Sequence, residues 1–337
     1  MNRNNSDSVL VIHPGGLGDV LLSLSAMVAF RNRHPTDQLV LLAGSDVGSL
    51  LQACGVVDRT LTTESDDLAS LMSGSDQLSS ALCELLNRCK RVVGWLDDHD
   101  GVLRATLQRL GIPRIILEPP VPQRGVHQSK RFLDVLKDES CVDLPPVQLD
   151  IPDTLRREGA AVLRTIGIQK GQDVVLCHPG SGSVHKCVRP ETMAEVVRKF
   201  RQSGIMPVLV GGPADERAVE CVRDLGLRDV PVIQRQRLTT IAGILAQARL
   251  FVGHDSGLTH LAGALKIPTV ALFGPTDARQ WAPQGDHVTI VTGPPCSCQD
   301  WTCIRACEAK PCLSIATEDI LAASISLVSR YRMVTKP

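Results

Sequence analysis

The feature that most constrains this chain is a repeated alternation of short apolar runs with longer amphipathic stretches. Val9 to Ile12, Gln38 to Leu42, Arg91 to Gly94, Arg114 to Leu117, Val174 to Cys177, Met206 to Val210, Leu250 to Val252, Thr269 to Phe273 and Val288 to Val291 are rich in β-branched or leucine side chains. Between many of them lie stretches of helical spacing, such as Val20 to Arg31, Glu191 to Ser203, Asp215 to Leu225 and Leu238 to Ala248. A strand apolar on both faces needs cover on both, and connecting helices supply it. The pattern therefore predicts parallel, doubly wound sheets with right-handed crossovers. A length of 337 residues accommodates two such domains. Leu144-Pro145-Pro146 and Ile151-Pro152-Asp153 interrupt the periodicity, which sets the expected domains at 1–150 and 151–337. Each half opens alike, with an apolar strand, a His-Pro-Gly turn (His13-Pro14-Gly15, His178-Pro179-Gly180) and a polar loop into a helix.

Charge balance narrows the function. With 36 Lys and Arg against 36 Asp and Glu the chain has no global basic field, so nucleic acid is not an expected partner. No run of about 18 apolar residues is present, which leaves peripheral contact as the expected relation to a membrane. The opening MNRNNSDS leads straight into a buried-strand pattern without a signal-peptide core, so the expected location is cytoplasmic.

Three strand-to-helix turns carry chemistry. In Gly15-Gly16-Leu17-Gly18-Asp19, glycines allow a tight turn and close approach of a ligand, and the helix start favours an anion. The spacing is not the dinucleotide G-x-G-x-x-G, and the next strand ends in Leu41-Leu42-Ala43-Gly44 without an acidic residue, which argues against NAD. Asp19 is either a helix-start carboxylate or a catalytic group. In the second turn, from His178 through Ser181 to Lys186, hydroxyls, amides and one ammonium suit a diphosphate. Cys187 follows the lysine where a P-loop has Ser or Thr, so that chemistry is not expected; a solvated loop lysine is the alternative. In the third, a strand ending at Gly253 is followed by Asp255-Ser256-Gly257, which opens a helix of small residues with its first amides available to an anion. His260, near the end of the first helical turn, could reach a phosphate or serve as a core histidine.

Together, Gly16-x-Gly18-Asp19 with Val20-Leu21-Leu22, His-Pro-Gly ahead of Lys186, Gly211-Gly212-Pro213-Ala214-Asp215-Glu216, Asp255-Ser256-Gly257-x-x-His260-Leu261-Ala262 and Gly274-Pro275-Thr276 resemble glycosyltransferase family nine, the heptosyltransferases of lipopolysaccharide core assembly. The resemblance runs in order from about residue 8 to 325. It implies the GT-B fold: two Rossmann-like α/β domains with an interdomain cleft, the first on the acceptor side and the second holding the donor. It also implies an inverting, metal-independent transfer of a heptose or related sugar from a nucleotide-diphosphate donor, in the first place ADP-heptose. The acceptor would be a lipopolysaccharide core or other glycolipid at the inner face of the cytoplasmic membrane, and no cofactor serves catalysis. Asp19 then corresponds to the general base and Lys186 to the lysine on the donor diphosphate. Gly16, Gly18, Ser181, Glu216, Asp255, Ser256, Gly257 and His260 fall in the donor-binding set, with Glu216 toward the ribose. His127 resembles a histidine of the family's amino-terminal half. The chain departs from the pattern at Cys187, where the family commonly has tryptophan. A sugar-nucleotide-binding protein of the same fold, without transferase activity, is the alternative reading.

Asp97-Asp98-His99-Asp100 imitates an Asp-x-Asp metal motif, but its context reads as a solvated loop, and no catalytic metal is expected. The segment 293–315 is different: it holds Cys296, Cys298, Cys303, Cys307 and Cys312. This density suits reduced thiols or adventitious disulfides in a loop, a structural thiolate–zinc site drawn from these five, or an iron–sulfur cluster.

Overall fold

The structure, a computed structural model, describes residues 7–75, 77–137, 147–298 and 300–334. The chain divides into two compact units, Met1–Val147 and Gln148–Pro337.

The first unit contains β1 (Ser8–Ile12), α1 (Leu17–Leu22), α2 (Leu24–Arg33), β2 (Gln38–Ala43), α3 (Ser45–Ala53), β3 (Arg59–Thr62), α4 (Asp66–Ser73), α5 (Ser80–Leu86), β4 (Cys89–Gly94), α6 (Val102–Arg109), β5 (Arg114–Leu117) and α7 (Gln128–Asp134). Its strands pair in the order β3-β2-β1-β4-β5, in parallel throughout. The central strand β1 is buried along its whole length, with Leu10 opposite Val40 on one side and Val92 on the other. Leu10, Ile12, Val40, Leu42, Val92, Leu103 and Leu107 make the core of one face.

Two local features depart from the periodic pattern. The helix expected over Val20 to Arg31 breaks at Ser23, whose hydroxyl donates to the Val20 carbonyl at 2.8 Å and so competes with the helical ladder. Strand β3 has no apolar run, because a half-buried edge strand needs only one paired side, and β2 supplies it.

The second unit contains α8 (Asp153–Thr165), β6 (Val174–His178), α9 (Pro190–Gln202), β7 (Met206–Gly211), α10 (Glu216–Arg223), β8 (Val232–Gln234), α11 (Leu238–Leu245), β9 (Leu250–His254), α12 (Gly257–Ala264), β10 (Thr269–Phe273), α13 (Ala278–Trp281), β11 (Val288–Thr292), α14 (Trp301–Ala306) and α15 (Thr317–Val334). The sheet runs β11-β10-β9-β6-β7-β8, again parallel. Both units thus show the doubly wound Rossmann-like topology. The chain moves outward from β6 through β8, then returns to place β9 on the other side of β6. This reversal opens a crevice at the carboxyl ends of β6 and β9, where open α/β sheets bind ligands. The equivalent point in the first sheet lies between β1 and β4. Val175, Val197, Phe200, Leu209, Val252 and Leu272 fill the second core, and α15 adds Ile320 and Leu327 to it.

The crossing of α8 and α11 rests on two glycines. A Cβ on Gly159 would lie 2.0 Å from the Gly243 carbonyl carbon, and a Cβ on Gly243 would lie 2.0 Å from the Leu155 oxygen. Backbone cannot move aside as a side chain does, so Gly159→Ala or Gly243→Ala should destabilise the protein by about 2 kcal/mol or more. A thermal melt checks this, and an unchanged midpoint in either variant would refute the close crossing.

Candidate active site

The second-unit crevice is built around three histidines and two aspartates. His178 ends β6 and is buried. Its Nε2 lies 3.0 Å from Asp215 Oδ2, and its Nδ1 lies 3.2 Å from Ser256 Oγ. Burial works to raise the Asp215 carboxyl, but the hydrogen bond and charge of His178 and the Gly212 amide outweigh it and hold the group below its usual range. Ionised Asp215 accepts from His178 Nε2, and the Ser256 hydroxyl meets Nδ1 on the other side of the ring. Gly180 is needed beside this pair, because a Cβ there would fall 2.0 Å from Asp215 Oδ1.

His254 ends β9, fully buried, and burial pushes its imidazole down to about 4, so it is neutral at physiological pH. Its Nε2 accepts from the Val188 amide at 3.0 Å, so Nδ1 donates to the Gly180 carbonyl at 3.2 Å. The ring therefore pins both ends of the loop that carries Lys186.

Asp255 is the hub. One carboxylate oxygen, Oδ2, accepts from Lys186 Nζ at 2.7 Å and from Thr276 Oγ1 at 2.7 Å. Its backbone carbonyl accepts from Ser181 Oγ at 2.7 Å, and His260 Nε2 lies 3.9 Å from Oδ1. Ser256 caps α12 by accepting from the Thr259 amide, and the Thr259 hydroxyl donates to the His254 carbonyl. Gly257 opens the helix. Ser181, Lys186, Asp255, Ser256, Gly257 and His260, all anticipated from the sequence, thus meet at one place. Glu216 stands apart from the hub, at the start of α10, where the Arg235 guanidinium 2.7 Å away holds its carboxyl below the usual range. A cavity of about 580 Å³ adjoins the loop, lined among others by Gly180, Ser181, Arg189, Arg217 and Lys310.

In the first unit, Gly16 precedes α1 in extended conformation, with Gly18 and Asp19 in the first turn. The Gly15 amide donates to His13 Nδ1 at 3.3 Å. Burial pushes His13 down to about 4, against a hydrogen bond to the Asp19 backbone, and Trp95 and Phe132 flank its ring with centroids 5.5 and 5.3 Å away. A neutral, aromatic-clamped imidazole thus shapes the turn that presents Asp19. His127 accepts from the Ser129 amide as the cap of α7. Asp98 accepts the Leu103 and Arg104 amides at 2.9 and 3.1 Å, a helix-start role for the Asp-rich loop.

Comparison with known proteins decides the family. A family model, glycosyltransferase family 9 (heptosyltransferase), matches residues 57–308. The chain belongs to this family. Lipopolysaccharide heptosyltransferase 3 of Escherichia coli K12 is 27% identical over 174 residues, which is 50% of this chain and 49% of that protein. The chain thus spans about half the length of that curated relative. Two solved structures share the fold over nearly the whole chain. A family 9 glycosyl transferase from Veillonella parvula has a TM-score of 0.81 at 18% identity, covering 96% of this chain and 98% of that one. The E. coli ADP-heptose lps heptosyltransferase II has a TM-score of 0.75 at 18% identity, covering 96% and 99%. The architecture is accordingly GT-B.

For this family 9 chain, the departure at Cys187 has a structural counterpart. Burial pushes the Cys187 thiol up to about 12, so it stays protonated. An indole comes to the lysine from another part of the chain, with Trp301 of α14 placing its ring centroid 5.7 Å from Lys186 Nζ. Four residues of the site were not singled out as functional from sequence: His178, Asp215, His254 and Thr276. His178 and His254 stand at the ends of β6 and β9, Asp215 in the turn after β7 and Thr276 in the turn after β10, within or beside the quoted motifs but with no role assigned to them.

Among the described residues, no helix is long and apolar enough to cross a membrane.

Proposed function

We propose that this protein transfers a heptose from ADP-heptose to a sugar hydroxyl of a lipopolysaccharide core or similar glycolipid, with inversion and without a metal ion, at the cytoplasmic face of a membrane it touches peripherally. The observation that carries this reading is the Lys186–Asp255 pair at the start of α12, at the reversal point of the second sheet. An ammonium has three N–H donors, and Asp255 accepts one. The others, with the first amides of α12, face the task of a leaving nucleoside diphosphate: to neutralise charge that grows as the glycosidic bond breaks. Asp255 is a positioning residue here, since a carboxylate repels a diphosphate but holds the lysine in place.

In this mechanism Asp19 takes the proton of the acceptor hydroxyl as its oxygen attacks the anomeric carbon. The bond from that carbon to the diphosphate oxygen breaks on the opposite face, and its electron pair leaves with ADP. Configuration is inverted. Membership of family 9, together with the fold shared with the E. coli ADP-heptose enzyme, supports the choice of donor. Gly16 and Gly18 would let the sugar approach the first-unit turn, and Glu216 would exchange Arg235 for the donor ribose.

The test is a donor screen by thermal shift. A ligand that binds only the folded protein at about 100 times its dissociation constant adds about 2.7 kcal/mol of stability. ADP and ADP-heptose should raise the melting temperature, and UDP- and GDP-sugars should do so far less. If no adenine nucleotide shifts the melt, or if ADP-heptose binds but no core acceptor is ever glycosylated, the assignment fails.

A further inference from the structure

The family chemistry makes no use of the cysteines in the segment 293–315, yet their sulfurs converge. The sulfurs of Cys296, Cys298 and Cys307 all lie within 4.8 Å of one another. Tetrahedral thiolate ligands around a zinc ion sit roughly 3.8 Å apart, because each Zn–S bond is about 2.3 Å. The Cys298 amide donates to Cys296 Sγ at 3.5 Å, a contact of the kind that orients sulfur ligands.

Two further thiols adjoin this trio. Cys312 meets Cys296, and Cys303 meets Cys298. They differ in setting. Cys312 is buried on the short 3-10 turn Pro311–Leu313, where it joins the second core together with Cys296. The Cys312 carbonyl also accepts from the Gly293 amide at 3.2 Å, which closes the segment on itself at its two ends. Cys303 is exposed on α14, with its amide capped by Asp300 at 2.8 Å.

We propose that Cys296, Cys298, Cys307 and Cys312 bind one thiophilic metal ion, zinc or ferrous iron, as a tetrathiolate structural site, with Cys303 left as a spare thiol. The ion cross-links a segment in which, among the described residues, the short α14 and one 3-10 turn are the regular structure between β11 and α15. Without it, four thiols would be gathered with no bond between them. Resting on the donor-site reading above, the ion also fixes a wall of that site, since the same segment supplies Trp301 beside Lys186 and Lys310 in the adjoining cavity.

Metal analysis of the full-length protein tests this. The protein is expressed with zinc and iron supplied, then purified without chelator under reducing conditions. Elemental analysis should find about one ion per chain in the wild type and in Cys303→Ser, and far less in Cys298→Ser, Cys307→Ser and Cys312→Ser. The element found distinguishes zinc from iron, with visible absorption as a second sign of iron. Titration with a mercurial should release the ion as thiols are consumed, a readout that does not depend on any variant folding. Wild-type protein with no stoichiometric metal and five freely titrating thiols in this segment would overturn the proposal. So would Cys303→Ser losing the ion while Cys312→Ser keeps it. Neither result depends on nucleotide binding, so failure of the donor screen and failure of the metal site are separate events.

Discussion

Asp19→Asn should abolish sugar transfer, with turnover falling roughly 10²- to 10⁴-fold while the thermal shift from ADP-heptose is kept. The substitution preserves the size of the side chain and its place in the first turn of α1, and Asn is as acceptable as Asp near a helix start. What it removes is a group that can take a proton. The surroundings support a local effect: His13, clamped by Trp95 and Phe132, shapes the turn through the Gly15 amide. The check is a single-turnover assay with ADP-heptose and a core acceptor, run beside a melt. Transfer at the wild-type rate would show that another group accepts the proton, and loss of the donor shift would move Asp19 from the base to the binding set.

Lys186→Ala should erase the donor shift. One ammonium hydrogen-bonded to a partly buried phosphate accounts for about 2–5 kcal/mol, a loss of roughly 30- to 5,000-fold in donor affinity. A complication lies in Asp255, whose side chain is only 8% exposed and pairs with that ammonium. Removing the lysine leaves a buried carboxylate with Thr276 as its remaining strong donor, so the single variant should also be less stable. The double variant Lys186→Ala, Asp255→Asn separates the two effects, because a neutral amide no longer needs a cation. Stability should return in the double variant while ADP still gives no shift. If donor binding returns with stability, Lys186 serves the fold and not the diphosphate.

How much of this was legible in the chain itself varies by element. The strands with apolar runs declare themselves, because both faces of a parallel sheet must be covered and the residues show it. Strand β3 does not, since Arg59-Thr-Leu-Thr62 is held by β2 and not by burial. Likewise the break at Ser23 comes from a single hydroxyl bond to a carbonyl three residues back. The turns bearing Asp19, Lys186 and Asp255 were readable because a glycine-rich strand-to-helix junction is a local event. Roles within the site were less so. Asp215 sits beside Glu216 in the sequence, yet Asp215 is buried against His178 and Glu216 pairs at the surface with Arg235. No periodicity distinguishes them.

The amino acids alone pointed to two doubly wound parallel sheets, which the structure has, and raised the expectations of a boundary near residue 150 and of three anion-suited junctions, because each is read from residues close together in the chain. Only the tertiary structure brought Ser181 and Lys186 to Asp255, 74 and 69 positions away, and His178 to Asp215, 37 away. The same holds for Trp301 at Lys186 and for the trio of sulfurs. Such pairings depend on which strand lies beside which, and that order is set when the whole sheet closes over its core.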